Sequence, residues 1–256
     1  MKGFCTIALG LLASTLALPR LAAADTKGDQ ILRAAFKKLG DAPAMTAQFT
    51  HVTSGPSLPF KLTLKGTVSA LKPNYLKVVI YGEVPGQGKI ERRYVSTGKD
   101  YYTYSNPPNA YRKDVVALKP EEFLGEWEGE IDAFFGGEAN AKKGQVQFVK
   151  TEKVGGVLCD IVTMALAPRD GAPARTLTYA IGQADKIIHR ASYPIPTTDG
   201  GNISQINTIA AVNLSVKLQP KDFLFAPPKD SKQSVPQRRR EVIFAPNTKT
   251  QSPAKG

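Results

Sequence analysis

KPNYLKVVIYG (Lys72–Gly82) and ERRYVSTGKDYYTYSNPPNAYRKDV (Glu91–Val115), joined by a turn rich in Gly and Pro, decide how this chain folds. Leu76, Val78 and Ile80 alternate with residues that face the other way, which is the period of a strand covered on one side. The alternation stops at Thr97-Gly98-Lys99-Asp100 and again at Ser105-Asn106-Pro107-Pro108-Asn109, both built from turn-forming residues. The stretch therefore predicts four short strands joined as successive hairpins. It is dense in tyrosine and basic residues and contains no catalytic motif.

Upstream, Phe60, Leu62, Leu64, Gly66, Val68 and Ala70 alternate with Lys61, Thr63, Lys65, Thr67 and Ser69. One face is apolar and the other wet, as in an antiparallel sheet with a single covered side; a buried parallel sheet would be apolar throughout. Met45 to Val52 predicts a preceding strand. Before it, Ile31, Leu32, Ala35, Phe36 and Leu39 make one helical stripe. Thr26 with Asp29 resembles a capping box and Gly40 supplies a stop. This helix is expected to pack on the sheet.

At the start, Met1-Lys2, the apolar run Cys5–Leu18 and the small residues Leu21-Ala22-Ala23-Ala24 have the layout of a secretory signal peptide. A membrane-spanning helix needs about 20 apolar residues, more than this run supplies. The expectation is a signal peptide at 1–24, a domain at 25–229 and a basic tail at 230–256, with a periplasmic or secreted location. Removal of 1–24 leaves Cys159 alone, so no internal disulfide is expected, and Cys159 reads as a small buried core residue.

Downstream, Pro120, Glu121 and Glu122 suit a helix start. Phe123, Leu124, Trp127, Ile131, Phe134 and Phe135 form its apolar stripe, and Gly125 and Gly129 each weaken it by about 1 kcal/mol relative to Ala. It is expected to hold by its aromatic face, as a cover or as a core helix. Further strands follow at Gln145–Thr151, Val157–Leu166, Arg175–Ile181, Lys186–Tyr193 and Ile203–Leu218; in the last, Ile206, Thr208, Ala210, Val212, Leu214, Val216 and Leu218 share a face. About ten strands and two helices suit one strongly curved sheet. From Asp230 onward Ser, Gln, Pro and Lys dominate and Arg238-Arg239-Arg240 is a basic cluster, the composition of a disordered tail. Part of the formal charge of +12 belongs to that tail, which weakens any case for nucleic acid as a partner of the domain.

The motifs of common catalytic chemistry are missing. His51 and His189 are the only histidines and neither stands at metal-ligand spacing; no His-Glu-x-x-His, Gly-x-Ser-x-Gly or Cys-x-x-Cys occurs. Gly82 to Gly88 looks faintly like a phosphate loop, but five residues separate its outer glycines and Ile90 stands where Ser or Thr would bind magnesium. No enzyme activity, cofactor or metal is expected.

Lys72-Pro73-Asn74 before a strand, then Ser96-Thr97-Gly98-Lys99-Asp100-Tyr101-Tyr102-Thr103-Tyr104, resembles the periplasmic lipoprotein carriers LolA and LolB. Ala47-Gln48-Phe49 resembles the start of that family's sheet, and Phe223-Leu224-Phe225-Ala226-Pro227-Pro228 is similar to the segment that closes it. The resemblance implies a mainly β, α+β fold: a single curved antiparallel sheet forming an incomplete barrel, with helices over its concave face. It implies an apolar hollow that binds an acyl chain, lipid or lipoprotein anchor. Phe60, Leu62, Leu64, Leu76, Val78 and Ile80 are expected to line it, Trp127, Phe134 and Phe135 to cover it, and the protein to be a monomer. Lys72 stands where carriers have an arginine, a departure that bears on ligand gating because an ammonium is a point charge and a guanidinium a rigid fork. The same fold occurs in periplasmic regulators of envelope signalling, so a sensory domain with a protein partner is the alternative.

Overall fold

The structure, a computed structural model, describes residues 25–56, 58–115, 130–142, 144–167, 174–196 and 202–234. The first helix, α1 (Thr26–Asp41), forms as its stripe predicts: Leu32, Ala35, Phe36 and Leu39 are buried. Its cap is Asp25, with Thr26 already in the first turn. The Asp25 carboxylate accepts from the backbone N–H of Lys27 at 3.0 Å and of Phe148 at 2.5 Å, so a long-range contact settles which of two adjacent capping residues caps. Gly28 is buried in the same joint, and a Cβ there would lie 2.5 Å from the Phe148 nitrogen.

The strands are β1 (Ala44–Ser54), β2 (Leu62–Leu71), β3 (Tyr75–Val84), β4 (Gly88–Thr97), β5 (Asp100–Asn106) and β6 (Ala110–Val115), then β7 (Gln145–Val154), β8 (Val157–Leu166), β9 (Arg175–Gly182), β10 (Ile188–Pro196), β11 (Asn202–Asn213) and β12 (Lys232–Gln233). They make one open sheet of 12 strands in the order β12-β6-β5-β4-β3-β2-β1-β11-β10-β9-β8-β7. Each run of hairpins fans out from the centre, where β1 pairs with both β2 and β11. The pairs are antiparallel except the short β12, which runs parallel to β6. Bulges in the β1–β11, β9–β10 and β7–β8 pairs add local bend and twist.

Helices α2 (Glu130–Gly136) and α3 (Glu138–Ala141) join α1 over one face of the sheet. Phe36 and Leu39 of α1 and Ile131 and Phe134 of α2 share a single core with Phe49, Leu64, Leu76, Val78, Ile80 and Tyr179 of the sheet. The four-residue α3, between the expected aromatic helix and β7, is an element the sequence pattern does not announce. The start of that aromatic helix at Pro120, with Phe123, Leu124 and Trp127, lies outside the described residues, as do 1–24 and 235–256.

The tyrosines divide by register. Tyr94 and Tyr101 point to the helix-covered face and join its core. Tyr75, Tyr102 and Tyr111 take the opposite face, where the C-terminal segment crosses them: Phe223 lies 5.6 Å from Tyr75, and Phe225 stacks on Tyr102 at 4.6 Å. That segment is a 3-10 turn, Pro220–Phe223, followed by extended chain. It continues past Asp230 into β12.

Two strand expectations change. Phe60 lies in the loop before β2, 36% exposed, and does not extend the alternation. β11 stops at Asn213, where the Asn213 side chain turns the chain by accepting from the Ser215 N–H. Its covered face is the odd one, carrying Ile203, Gln205, Asn207 and Ile209, while Thr208 and Ala210 are exposed. The period was legible and the face was not, because two polar residues occupy the covered side.

Candidate functional site

The hollow of the sheet is apolar along its middle strands and closed by helix side chains. Between the two layers lies a cleft bounded by Met45, Ala47 and Phe49 of β1, Val68 of β2 and Ile209 of β11, with Leu39 of α1 and Ile131 of α2 opposite. Its free volume is about 10 Å³, roughly the room of one water molecule. Gly66 makes this packing possible: a Cβ there would sit 2.1 Å from the Phe49 ring and 2.5 Å from the Val79 carbonyl oxygen.

At one end of the cleft a basic side chain bridges the sheet and the helices. The Lys72 ammonium, in the turn between β2 and β3, donates to the carbonyl oxygen of Gly40. It lies 5.1 Å from the centre of the Phe134 ring. The acceptor belongs to the last turn of α1, where carbonyls lack helical partners and the helix dipole favours a cation. Burial pushes the Lys72 amine below its ordinary value, with the Asp41 carboxylate acting the other way. Gly40 also seats the helices on each other, since a Cβ there would fall 2.5 Å from the Gly137 Cα.

Towards the other end the lane formed by β1 and β11 turns polar. Phe49 pairs with Ile209; two residues on, His51 pairs with Asn207, and beyond that Thr53 with Gln205. His51 is 1% exposed. Its Nδ1 donates to the Asn207 side-chain oxygen at 2.6 Å and its Nε2 accepts from the Thr53 hydroxyl at 2.8 Å, which uses both nitrogens of a neutral imidazole. Burial lowers its pKa from the ordinary 6.5, with the Asn207 hydrogen bond acting in the opposite sense. Gln205 is also 1% exposed, and neither its Oε1 nor its Nε2 has a hydrogen-bond partner among the described residues.

Of the residues expected at the site, Leu64, Leu76, Val78, Ile80 and Phe134 are fully buried in the core between sheet and helices. Leu62 and Phe135 pack at its margin. Phe60 is outside, Trp127 falls among residues not described, and Lys72 joins the layers. The cleft itself lies further along the sheet, on β1 and β11. Gly66 inside an otherwise regular strand was the sequence signal for a close approach there, and polar Gln205 and Asn207 in a strand marked its polar end. Neither histidine meets a metal cluster: among the described residues no three His, Cys, Asp or Glu side chains gather at one point.

No family model matches the sequence, and no curated protein matches it. Solved structures to which the fold is similar include the Mycobacterium tuberculosis lipoprotein LppX, at 17% identity and TM-score 0.48 over 77% of this chain and 100% of that one. LprF from Mycobacterium bovis gives 16% and 0.47 over 77% and 99%. A LolA superfamily protein from Nitrosomonas europaea gives 11% and 0.38 over 80% and 99%. The likeness is one of outline alone, and it carries no family, ligand, partner or activity to this chain.

Proposed function

We propose that this protein is an extracytoplasmic binding or carrier protein, not an enzyme, that takes the acyl chain of a lipid or acylated lipoprotein between its helices and the hollow of its sheet. The observation that carries this reading is the apolar band of the inner face, which crosses the sheet from β4 through β1 and β11 to β8 beside the polar end at His51 and Gln205, under a cover of three separate helices. Shielding each CH₂ from water contributes roughly 0.8 kcal/mol, so a long acyl chain needs on the order of 10 kcal/mol of compensation to leave a membrane. A wide apolar face supplies that without many specific contacts.

Pockets for small ligands hold roughly 300–1,000 Å³, far more than the present cleft. The chain therefore enters by lifting Leu39 and Ile131 from Phe49 and Ile209, and the hollow widens towards Leu64, Leu76, Val78 and Ile80. Phe134 and Phe135 move with the cover, Phe60 stays outside it in the loop before β2, and Lys72 restrains the opening. Trp127 is the sole tryptophan. Titration with monopalmitoylglycerol should shift its fluorescence to the blue if its segment belongs to the cover; an unchanged spectrum while the ligand binds would remove it from that role.

A further inference from the structure

The inner face of the sheet is not apolar throughout, and its polar part has a definite composition. Across four strands the rows read Leu64, His51, Asn207, Ala191 and then Leu62, Thr53, Gln205, Tyr193. His51, Thr53 and Asn207 satisfy one another. Gln205 does not share in this: its carbonyl oxygen and its amide nitrogen are both buried and without a partner among the described residues. A buried amide left unpaired costs about 1–3 kcal/mol per group. The core could have avoided that cost with leucine or methionine at this position.

The unpaired amide continues the lane that begins in the cleft. Phe49 and Ile209 line the cleft, and Gln205 comes four residues beyond Ile209 on the same face of β11, roughly 13 Å away at about 3.3 Å per residue. The lane is thus amphipathic, apolar for most of its length and closed by a group that offers one acceptor and two donors. No lysine, arginine, aspartate or glutamate stands in these two rows of β2, β1, β11 and β10. A charged head set against these rows would find no counter-charge on them, and an isolated buried ion is strongly disfavoured.

We infer that Gln205 is the head-group contact of a single-chain lipid whose polar end is uncharged and carries both a hydrogen-bond donor and an acceptor, such as a glycerol ester or an amide. The inference rests on the acyl-binding reading and sharpens it to a ligand class. The Gln205 amide donates to the head's carbonyl or hydroxyl oxygen and accepts from its O–H or N–H, while the tail lies along Phe49 and Ile209. His51, held by Asn207 and Thr53, is a positioning residue that keeps this end of the lane neutral.

The test compares three probes with the same tail length on the full chain and on Gln205→Leu: 1-monopalmitoylglycerol, hexadecane, and palmitoyl lysophosphatidate. The wild type should prefer monopalmitoylglycerol to hexadecane by about tenfold or more and take lysophosphatidate poorly; Gln205→Leu should lose that preference while its affinity for hexadecane stays unchanged, since each hydrogen bond lost is worth about tenfold. Equal affinity of both proteins for monopalmitoylglycerol and hexadecane would overturn the head-group contact and leave acyl binding standing. Binding of none of the probes would overturn both. If Gln205→Leu does not fold, the side-chain amide resonances of Gln205 in the wild type decide. A shift with monopalmitoylglycerol and not with hexadecane supports the contact; no shift with either, with a long-lived water at the amide, overturns it.

Discussion

Lys72 donates to the backbone oxygen of Gly40, a residue thirty-two positions earlier in the chain, and thereby ties the β2–β3 turn to the end of α1. The same ammonium faces the Phe134 ring of α2, so one side chain holds two of the covering helices to the sheet. Removing it should loosen the cover more than the sheet. A hydrogen bond from a charged donor is worth about 1.5–3 kcal/mol, and its loss on helix opening converts to roughly tenfold or more in rate. Lys72→Ala is therefore expected to speed release of bound monopalmitoylglycerol by about that factor in stopped flow while the strand content stays unchanged. An unaltered release rate would mean that Lys72 does not restrain the cover.

His51 makes stability depend on pH below neutrality. In the unfolded chain its ring binds a proton near the ordinary 6.5; in the fold, burial lowers that value. Below pH 6.5 the unfolded state therefore holds more protons, and stability falls as the pH drops from there towards the folded-state value. The slope is at most about 1.4 kcal/mol per pH unit. Urea midpoints measured from neutrality down to about pH 5 should show it. His51→Gln, compared over the same range, should flatten it, and a variant with the wild-type slope would acquit His51.

Gly66 is the point at which the inner layer has no slack. A methyl group there would meet both the Phe49 ring and the Val79 carbonyl, one of which is backbone and cannot step aside. Gly66→Ala should destabilise by about 1–3 kcal/mol, the usual cost of overpacking. Gly86→Ala, where a Cβ meets nothing but the backbone φ is +76°, separates steric crowding from backbone strain. Its cost should be smaller and insensitive to Phe49→Leu, whereas the cost of Gly66→Ala should fall in that background.

On the opposite face the C-terminal segment acts as a strap. Phe223 is fully buried against Tyr75, and Val95 lies buried on the same side. Phe223→Ala should cost about 3–5 kcal/mol as a large core truncation. Phe225→Ala, at a partly exposed stack on Tyr102, should cost less than half of that. Equal losses in chemical denaturation would contradict this division.

Sequence alone exposed the strands wherever one face met water. Leu64, Val68 and Ala70 of β2 alternate with lysine and threonine, and the fold follows them. It misread β11 for a physical reason: the inward positions hold Gln205 and Asn207, and the outward ones hold Ile206 and Ala210, so polarity pointed the wrong way. The cap of α1 was out by one residue because Asp25 and Thr26 are both good caps and only the distant Phe148 N–H chooses between them. The resemblance at Lys72-Pro73-Asn74 singled out Lys72 as a residue to look at. Its partners Gly40 and Phe134 were not legible, since neither periodicity nor spacing reports which distant carbonyl a lysine reaches. The cleft at Phe49 and Ile209 was missed because β1 is only moderately alternating and its neighbour is β11, the last long strand in the sequence.

Native mass spectrometry of the full chain, purified without detergent from its own host and then delipidated, tests most directly the proposed binding of an acyl chain between helices and sheet. The expected result is a population heavier than the polypeptide by the mass of an acyl-bearing lipid, lost on delipidation and restored by added monopalmitoylglycerol. A protein that carries no lipid, takes up none of any class, and instead co-purifies with a stable protein partner would contradict the account and favour a regulatory binding domain.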